Sequence, residues 1–285
     1  MGQVDTFTNG NLRFDVTDTA PSGGGTGESV IVLHGYPEDR HSWDGVTPAL
    51  TEAGFRVLAP DQRGYSPGAR PTARAAYTLP RLAGDVLALA QAAGVERFHL
   101  AGHDWGAALA WYLAGRHPDR VISLACLSVP HTQAFLRSFT AGPQALRSWY
   151  MAAFQIPWLP ERMLSRGGGA VMREMLTRTG LDAASADRYA ARAADPAAMR
   201  GPLNWYRALP LEVGNRPGPV TVPSLFIWGD HDQFISRAAA QLCSRYVTGG
   251  YRFEELPGAS HWLLQTETDR VGGLMTGHFA KAPRG

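Results

Sequence analysis

The 285-residue sequence predicts a doubly wound α/β fold, in which a mostly parallel sheet is interrupted by a helical insertion. Three observations support this prediction. Apolar runs alternate with helix-length segments, one long stretch contains no such run, and the composition provides enough apolar residues for a large core. Hydrophobic residues make up 45% of the chain and charged residues 18%, a balance that excludes an intrinsically disordered protein.

The apolar runs have the length and composition of buried strands. They lie at 29–35, 55–61, 98–104, 121–130 and 223–230, and residues 251–256 resemble a final edge strand. The first five are rich in Leu or β-branched residues without strict alternation, which is typical of strands buried on both faces of a parallel sheet. Residues 4–18, by contrast, alternate around Asn9-Gly10 and predict a hairpin. A flexible loop is expected at 21–27.

Helical spacing of apolar residues appears between these runs. The predicted helices cover 80–94, 106–117, 236–247 and 266–280. From 131 to 219 no buried-strand pattern occurs, and helix-like stretches are separated by Gly and Pro. We therefore expect a core formed by residues 1–130 and 220–285, with a helical cap over 131–219.

Charge and cysteine content exclude several classes of partner. The formal net charge is +2 and no Lys/Arg cluster concentrates it, so we expect neither a nucleic-acid nor a membrane partner. Two cysteines, Cys126 and Cys243, cannot form a disulfide framework and suit a reducing cytoplasm. No apolar segment resembles a signal peptide or a membrane span, so we expect a cytoplasmic protein. The oligomeric state is not predicted.

The pentapeptide Gly102-His103-Asp104-Trp105-Gly106 joins a predicted strand to a predicted helix. Small residues on both sides of a central residue permit the sharp turn of a nucleophile elbow, where serine is usual. Here the central residue is Asp104, whose carboxylate has an ordinary pKa of about 4 and is ionised at neutral pH. Attack on a saturated carbon would give a stable alkyl ester, which predicts epoxide opening or halide displacement. The alternative is a turn-forming or helix-capping Asp.

Two further residues complete a possible catalytic set. Asp232 follows the strand at 223–230, and His261 lies between the last strand and the last helix. The order nucleophile, acid, histidine is that of α/β-hydrolases, which predicts His261 as a general base oriented by Asp232. Asp230 is the alternative acid, but Asp232 lies further into the loop, so we expect Asp230 to fix the turn.

The segment His34-Gly35-Tyr36-Pro37 follows the first long strand. In α/β-hydrolases this loop supplies one oxyanion-hole N–H, here from Tyr36, and the residue after the nucleophile, Trp105, supplies the other. We interpret His34 and His103 as structural histidines that form hydrogen bonds. The histidines lack metal-ligand spacing and no nucleotide-binding glycine motif follows a strand, so we expect neither a metal nor a cofactor.

Taken together, HGYP, PDQRGYS, GHDWG, GDHD and GASHW resemble the α/β-hydrolase-fold epoxide hydrolases from residue 29 onward. The resemblance implies an α/β-hydrolase fold with a cap, and a small apolar epoxide and water as substrates. It also implies two cap tyrosines that hydrogen-bond the epoxide oxygen. The stretch SWYMAAFQIPWLPE places the first at Tyr150, and GPLNWYR places the second at Tyr206.

The substrate pocket is expected to be apolar and to include Trp149, Trp105 and Pro37. Trp149 is also the alternative to Tyr150 as the inward-facing ring. Two other functions stay open. A haloalkane dehalogenase would use the same Asp104, but HGYP offers no side-chain amide for the halide. A non-catalytic binding protein would have no need of a nucleophile, an acid, a base and an oxyanion loop together.

Overall fold

The structure, a computed structural model, describes residues 2–23 and 27–282, so the predicted loop at 21–27 lies partly outside the described residues. The strands are β1 Thr6–Asn9, β2 Leu12–Thr19, β3 Ser29–Leu33, β4 Arg56–Pro60, β5 Phe98–His103, β6 Val121–Leu127, β7 Ser224–Gly229 and β8 Tyr251–Leu256. The helices are α1 Thr47–Glu52, α2 Leu79–Ala92, α3 Trp105–Arg116, α4 Thr132–Ser138, α5 Gln144–Arg147, α6 Trp149–Ala153, α7 Leu159–Leu164, α8 Ala170–Arg178, α9 Ala183–Ala193, α10 Pro196–Ala208, α11 Arg237–Leu242, α12 Leu263–Thr266 and α13 Thr268–Phe279.

The strands form one sheet in the order β1-β2-β4-β3-β5-β6-β7-β8. The pairs β1–β2 and β2–β4 are antiparallel, and all other neighbours are parallel. The predicted doubly wound, mostly parallel sheet is therefore confirmed. Because parallel strands end at the same edge, the loops after β3, β5 and β7 meet there, and ligands of such sheets bind at this edge.

Each predicted apolar run contains a strand, and the predicted hairpin is formed by β1 and β2. The predicted helix 236–247 is α11 followed by a 3₁₀ turn at Cys243–Tyr246, and the helix at 266–280 is preceded by the short α12. The six-residue α1 is an element that the sequence pattern did not identify. It lies between β3 and β4.

Helices cover both faces of the sheet. On one face Leu82 and Leu89 of α2 and Trp111 of α3 pack in one buried cluster. On the other face Leu50 of α1 and Val271 of α13 belong to a second cluster. Burial of each such side chain stabilises the fold by about 1.5–3 kcal/mol, so the sheet is a rigid support for the loops at its edge.

Residues 131–219, all of which are described, contain α4 to α10 and no strand. Helices α7 to α10 share a buried cluster that includes Leu176, Tyr189 and Leu203, whereas Ala134 of α4 belongs to a cluster of the sheet. The helix α10 also touches the sheet-bearing part of the chain directly. A Cβ atom on Gly201 would lie 2.5 Å from the Cα atom of Gly64, so the two backbones are in contact with no side chain between them.

Candidate active site

Asp104 occupies a strained turn between β5 and α3. Its backbone has φ 51° and ψ −118°, and a positive φ of this kind costs a non-glycine residue about 1–3 kcal/mol. A Cβ on Gly102 would lie 2.2 Å from the carbonyl oxygen of Gly106, and a Cβ on Gly106 would lie 2.1 Å from that of Leu33. Only glycine fits at these two positions, and the turn projects Asp104 from the edge of the sheet.

The two carboxylate oxygens of Asp104 have different partners. Oδ1 accepts a hydrogen bond from the backbone N–H of Tyr36 at 2.8 Å. Oδ2 lies 3.4 Å from Nε2 of His261. Trp105 is the first residue of α3, so its N–H has no acceptor within the helix. The carboxylate therefore has the backbone N–H of Tyr36 on one side and the imidazole of His261 on the other.

His261 and Asp232 form a buried pair. Nδ1 of His261 lies 2.7 Å from Oδ2 of Asp232, and the residues are 2% and 1% exposed. The other carboxylate oxygen, Oδ1, accepts hydrogen bonds from the N–H groups of Phe234 at 2.7 Å and Ile235 at 2.9 Å. Since both oxygens of Asp232 are held, the carboxylate orients the imidazole with Nε2 towards Asp104.

Asp230, the alternative acid, has another position. Its Oδ1 accepts the N–H of Gly258 at 2.6 Å, in the loop that follows β8. Within the described residues it forms no hydrogen bond to His261, whose Nδ1 contacts Asp232. Asp230 therefore braces two loops at the end of β7.

The charges around His261 favour its protonated form. Burial lowers the pKa of the imidazole, but the carboxylates of Asp232 and Asp104 outweigh burial and raise the pKa to about 10. At neutral pH the site therefore holds an imidazolium between two carboxylates. The pKa would fall if either carboxylate lost its charge.

Tyr150 of α6 and Tyr206 of α10 approach Asp104 from the strand-free segment. Their rings meet edge to face with centroids 6.0 Å apart, and both line a cavity that Asp104 also lines. Burial raises the pKa of both phenols, and the negative charge of Asp104 raises it further. Both hydroxyls therefore keep their protons at neutral pH and are available as neutral hydrogen-bond donors.

Aromatic neighbours support the two tyrosines. Tyr206 packs edge to face against Trp105 at 5.0 Å and against Tyr36 at 5.3 Å between ring centroids. Tyr150 packs against Phe234 at 5.7 Å. Trp149, the alternative inward ring, is 69% exposed. Its side chain borders the cavity at an exposed position, whereas Tyr150 packs against the aromatic rings around the site.

The cavity in front of Asp104 and His261 has a volume of about 340 Å³. Its apolar lining includes Pro37, Trp149, Phe154, Met172, Met175, Leu176, Phe234 and Trp262. Trp105 lies outside this lining and borders a second cavity of about 70 Å³, which also reaches Asp104 and both tyrosines. A largely apolar cavity with a few polar groups is suited to a small apolar ligand.

Behind the elbow lies a buried ion pair that the sequence did not predict. His103 has Nδ1 2.8 Å from Oε2 of Glu38 and Nε2 2.9 Å from the carbonyl oxygen of His261. Both contacts of the ring are with oxygen atoms, a carboxylate oxygen on one side and a backbone carbonyl oxygen on the other. Glu38 also accepts the N–H of Gly35 at 2.9 Å. The pair thus joins the loop after β3, the elbow and the backbone of His261.

His34 also forms hydrogen bonds through both ring nitrogens. Its Nδ1 donates to the carbonyl oxygen of Gly35 at 2.9 Å, and its Nε2 accepts the N–H of Gln62 at 3.1 Å. Burial lowers its pKa, so the ring is neutral.

Glu38 was not identified from the sequence as a residue of the site. It could have been found from its position directly after HGYP, because a charged residue next to a buried strand needs a partner.

Replacement of Glu38 by Gln is expected to destabilise the protein at neutral pH and much less in acid. Burial raises the pKa of Glu38, but the charge of His103 and the accepted hydrogen bonds lower it to about 2. A carboxylate whose folded-state pKa is depressed stabilises the fold above its unfolded pKa, and this contribution is lost as pH falls from about 5 to 2. We expect Glu38→Gln to lose about 3 kcal/mol of unfolding free energy at pH 7.

Urea unfolding at several pH values measures this effect. The difference between the wild type and Glu38→Gln should narrow below pH 5, and Glu52→Gln, on the exposed side of α1, should cost almost nothing at any pH. If Glu38→Gln lowered the unfolding free energy equally at pH 7 and pH 3, the charge of Glu38 would not be the cause of the destabilisation.

Among residues 2–23 and 27–282 no group of three or more His, Cys, Asp or Glu side chains is arranged to hold a metal ion. None of the described helices is both long and apolar enough to span a membrane.

Comparison with known proteins gives consistent matches. The family model described as alpha/beta hydrolase fold matches residues 28–268. Epoxide hydrolase A of Mycobacterium tuberculosis is 34% identical over 85% of this chain and 87% of its own, and human epoxide hydrolase 4 is 33% identical over 86% and 70%. The AB hydrolase superfamily protein YfhM of Bacillus subtilis is 34% identical over 90% and 91%. The crystal structure of epoxide hydrolase A from Mycobacterium thermoresistibile superimposes with a TM-score of 0.82, 27% identity and full coverage of both chains.

Proposed function

Because the chain belongs to the α/β-hydrolase fold family and, within it, to the epoxide hydrolases, we propose that it hydrolyses an epoxide to a vicinal diol through an ester on Asp104. One observation carries this mechanism: an ionised carboxylate on a nucleophile elbow shares an apolar cavity with two protonated phenols, Tyr150 and Tyr206. The carboxylate is a nucleophile for a saturated carbon, and the phenols are donors for the oxygen that leaves this carbon.

In the first step, Oδ2 of Asp104 attacks one carbon of the epoxide, and the bond between that carbon and the ring oxygen breaks. Tyr150 and Tyr206 hydrogen-bond this oxygen, which takes up a proton and becomes a hydroxyl group. The imidazolium of His261 replaces the proton that the phenols give up. The step ends with a hydroxyalkyl ester on Asp104 and a neutral His261.

In the second step, neutral His261 removes a proton from water, and the hydroxide attacks Cγ of Asp104. Negative charge develops on Oδ1, which accepts the N–H of Tyr36, and we propose the N–H of Trp105 as the second donor to this oxygen. The bond between Cγ and the alkyl oxygen then breaks, and the carboxyl proton passes to this oxygen as the diol leaves. The Asp104 carboxylate and the His261 imidazolium are both restored, so no proton is gained or lost over the whole cycle.

The pKa of His261 links the two steps. While Asp104 is charged, it and Asp232 keep the imidazole protonated. Once Asp104 is an ester, one of these two charges is gone and burial lowers the pKa. His261 therefore becomes a base at the stage at which water must be activated.

We propose the same division of the chain as above. A core of residues 1–130 and 220–285 carries Asp104, Asp232 and His261, and a cap of residues 131–219 carries the two phenols and covers the cavity. A cover of this kind restricts bulk water and positions the substrate, which we propose to be a small apolar epoxide. The buried, unpaired thiols of Cys126 and Cys243 suit a reducing cytoplasm.

Halide displacement by Asp104 is the second candidate. It is favoured by Trp105, whose indole borders the smaller cavity next to Asp104 and carries an N–H that can hold a halide ion. Against it, the indole ring packs on Tyr206 at 5.0 Å, and the Tyr36 side chain offers no amide as a second donor.

Product analysis separates the two candidates. The purified protein is incubated with a panel of apolar epoxides and, separately, with matched chloroalkanes and bromoalkanes; diols are measured by gas chromatography and halides by ion chromatography. We expect diol and no halide release. Halide release without diol would overturn the proposal. A single turnover in H₂¹⁸O, with enzyme in excess, should leave the label in Asp104 and not in the first diol.

A further inference from the structure

The chain segment that carries Tyr150 is fastened to the loop of Asp232 by one buried side chain. Gln144 begins α5, one helical turn before Ser148, and is completely buried. Its Nε2 donates to the carbonyl oxygen of Phe234 at 2.7 Å, and its Oε1 accepts the N–H of Ser236 at 2.8 Å. A carbonyl can only accept and an N–H can only donate, so the carboxamide fits in one orientation.

The same side chain also reaches towards Tyr150. Nε2 of Gln144 donates a second hydrogen bond to Oγ of Ser148 at 2.9 Å, two residues before Tyr150. Arg147, on the same turn, donates to the backbone carbonyls of Asp232 and Ile235. One turn of helix thus binds the residues next to Tyr150 to the loop that supplies the acid.

Phe234 lies at the centre of this arrangement. Its N–H is held by the carboxylate of Asp232 and its carbonyl oxygen by Gln144. Its ring packs edge to face against His261 at 4.9 Å and against Tyr150 at 5.7 Å. The position of Phe234 therefore sets the distance between Tyr150, the proposed donor to the epoxide oxygen, and His261, the proposed general base.

Tyr206 has a separate attachment. The indole N–H of Trp205 donates to the carbonyl oxygen of Arg63 at 2.8 Å, and α10 meets the core through the contact of Gly201 with Gly64. Tyr206 therefore has an attachment to the core that does not involve Gln144, although its ring also packs on that of Tyr150. Loss of the Gln144 contacts should displace Tyr150 more than Tyr206.

We propose that Gln144 is a positioning residue, which holds Tyr150 in register with the Asp232–His261 pair through Phe234. The inference rests on the proposed function, because its effect is on the alignment of Tyr150 with the epoxide oxygen. Gln144 contacts neither substrate nor the reacting atoms. It acts on the first step, in which the phenols bind the oxygen that leaves the carbon.

A double-mutant cycle tests this role. Gln144→Met keeps the length of the side chain and removes its donors and acceptor, and Tyr150→Phe removes the hydroxyl. In single-turnover experiments with an epoxide that the wild type converts, Gln144→Met should slow ester formation by about 10- to 100-fold, since small displacements of aligned groups have effects of this size. In the Tyr150→Phe background, Gln144→Met should slow ester formation by less than about threefold.

Gln133→Met is the matched control, because Nε2 of Gln133 also donates to a backbone carbonyl, that of Pro217, within the strand-free segment. It should leave ester formation within about twofold of the wild type. If Gln144→Met does not fold, Gln144→Asn, which retains the amide on a shorter side chain, takes its place in the cycle. The positioning role would be refuted if Gln144→Met slowed ester formation equally in the wild type and in Tyr150→Phe, or did not slow it at all. Absence of diol from the wild type would instead refute the proposed function.

Discussion

The variant Asp104→Asn is expected to lose diol formation, with kcat at least about 10³-fold lower than in the wild type. The carboxamide has nearly the shape of the carboxylate and can still accept the N–H of Tyr36 through its oxygen. It has no negative charge, so it cannot form the alkyl ester. Steady-state assays measure the loss, and intact-mass analysis establishes that the introduced carboxamide has not been deamidated. Turnover near the wild-type rate in intact protein would mean that Asp104 is not the nucleophile.

The same variant gives a second, independent readout at His261. Removal of the Asp104 charge removes one of the two interactions that raise the pKa of His261 to about 10, so that pKa should fall. NMR titration of the imidazole nitrogens measures the shift. Asp230→Asn is the matched control, since Asp230 bonds Gly258, and should leave both the pKa and the activity unchanged.

The variant His261→Gln is expected to stop the reaction at the ester. The first step needs a nucleophile and oxygen donors, whereas the second needs a base for water. Ester formation should slow, because the imidazolium no longer replaces the proton, and ester hydrolysis should slow far more, by about 10³-fold. The ester then accumulates, and mass spectrometry of the peptide that contains Asp104 should show the added mass of one epoxide molecule.

The double variant Asp104→Asn with His261→Gln locates the added mass. It should form no adduct, because the attacked carbon has no carboxylate to bind. An adduct on another residue, or continued turnover by His261→Gln alone, would contradict the division of the reaction into two steps.

The sheet could be predicted from the sequence because its signals are local. Runs such as 98–104 are apolar over the length of a strand, and β5 forms there; the hairpin turn at Asn9-Gly10 is likewise a property of neighbouring residues. The helix α1 is only six residues long and lacks a full amphipathic period, so its pattern does not stand out. The predicted helix 236–247 changes to a 3₁₀ turn at Cys243, whose buried side chain accepts the N–H of His131, 112 residues away in the chain.

Some residues of the candidate site could likewise be predicted from local sequence signals, and others could not. Asp104, Asp232 and His261 follow strands of one sheet, so their order in the chain is enough to predict that they lie together. The pairing of Glu38 with His103 spans 65 residues, and the bond of Gln144 to Ser236 spans 92. Such pairs depend on how loops and helices pack in three dimensions, and no spacing in the sequence indicates them.

The backbone contact between Gly64 and Gly201 has a consequence for protein engineering. Any larger residue at Gly201 would lift α10, and with it Tyr206, which lies five positions further along the same helix. The cavity is also lined by apolar side chains of α8, namely Met172, Met175 and Leu176, to which we assign no part in binding the oxygen. Mutant libraries intended to alter the substrate range should therefore vary residues of α8 and keep Gly64 and Gly201. The shape of the pocket would then change while Tyr206 and Asp104 keep their positions.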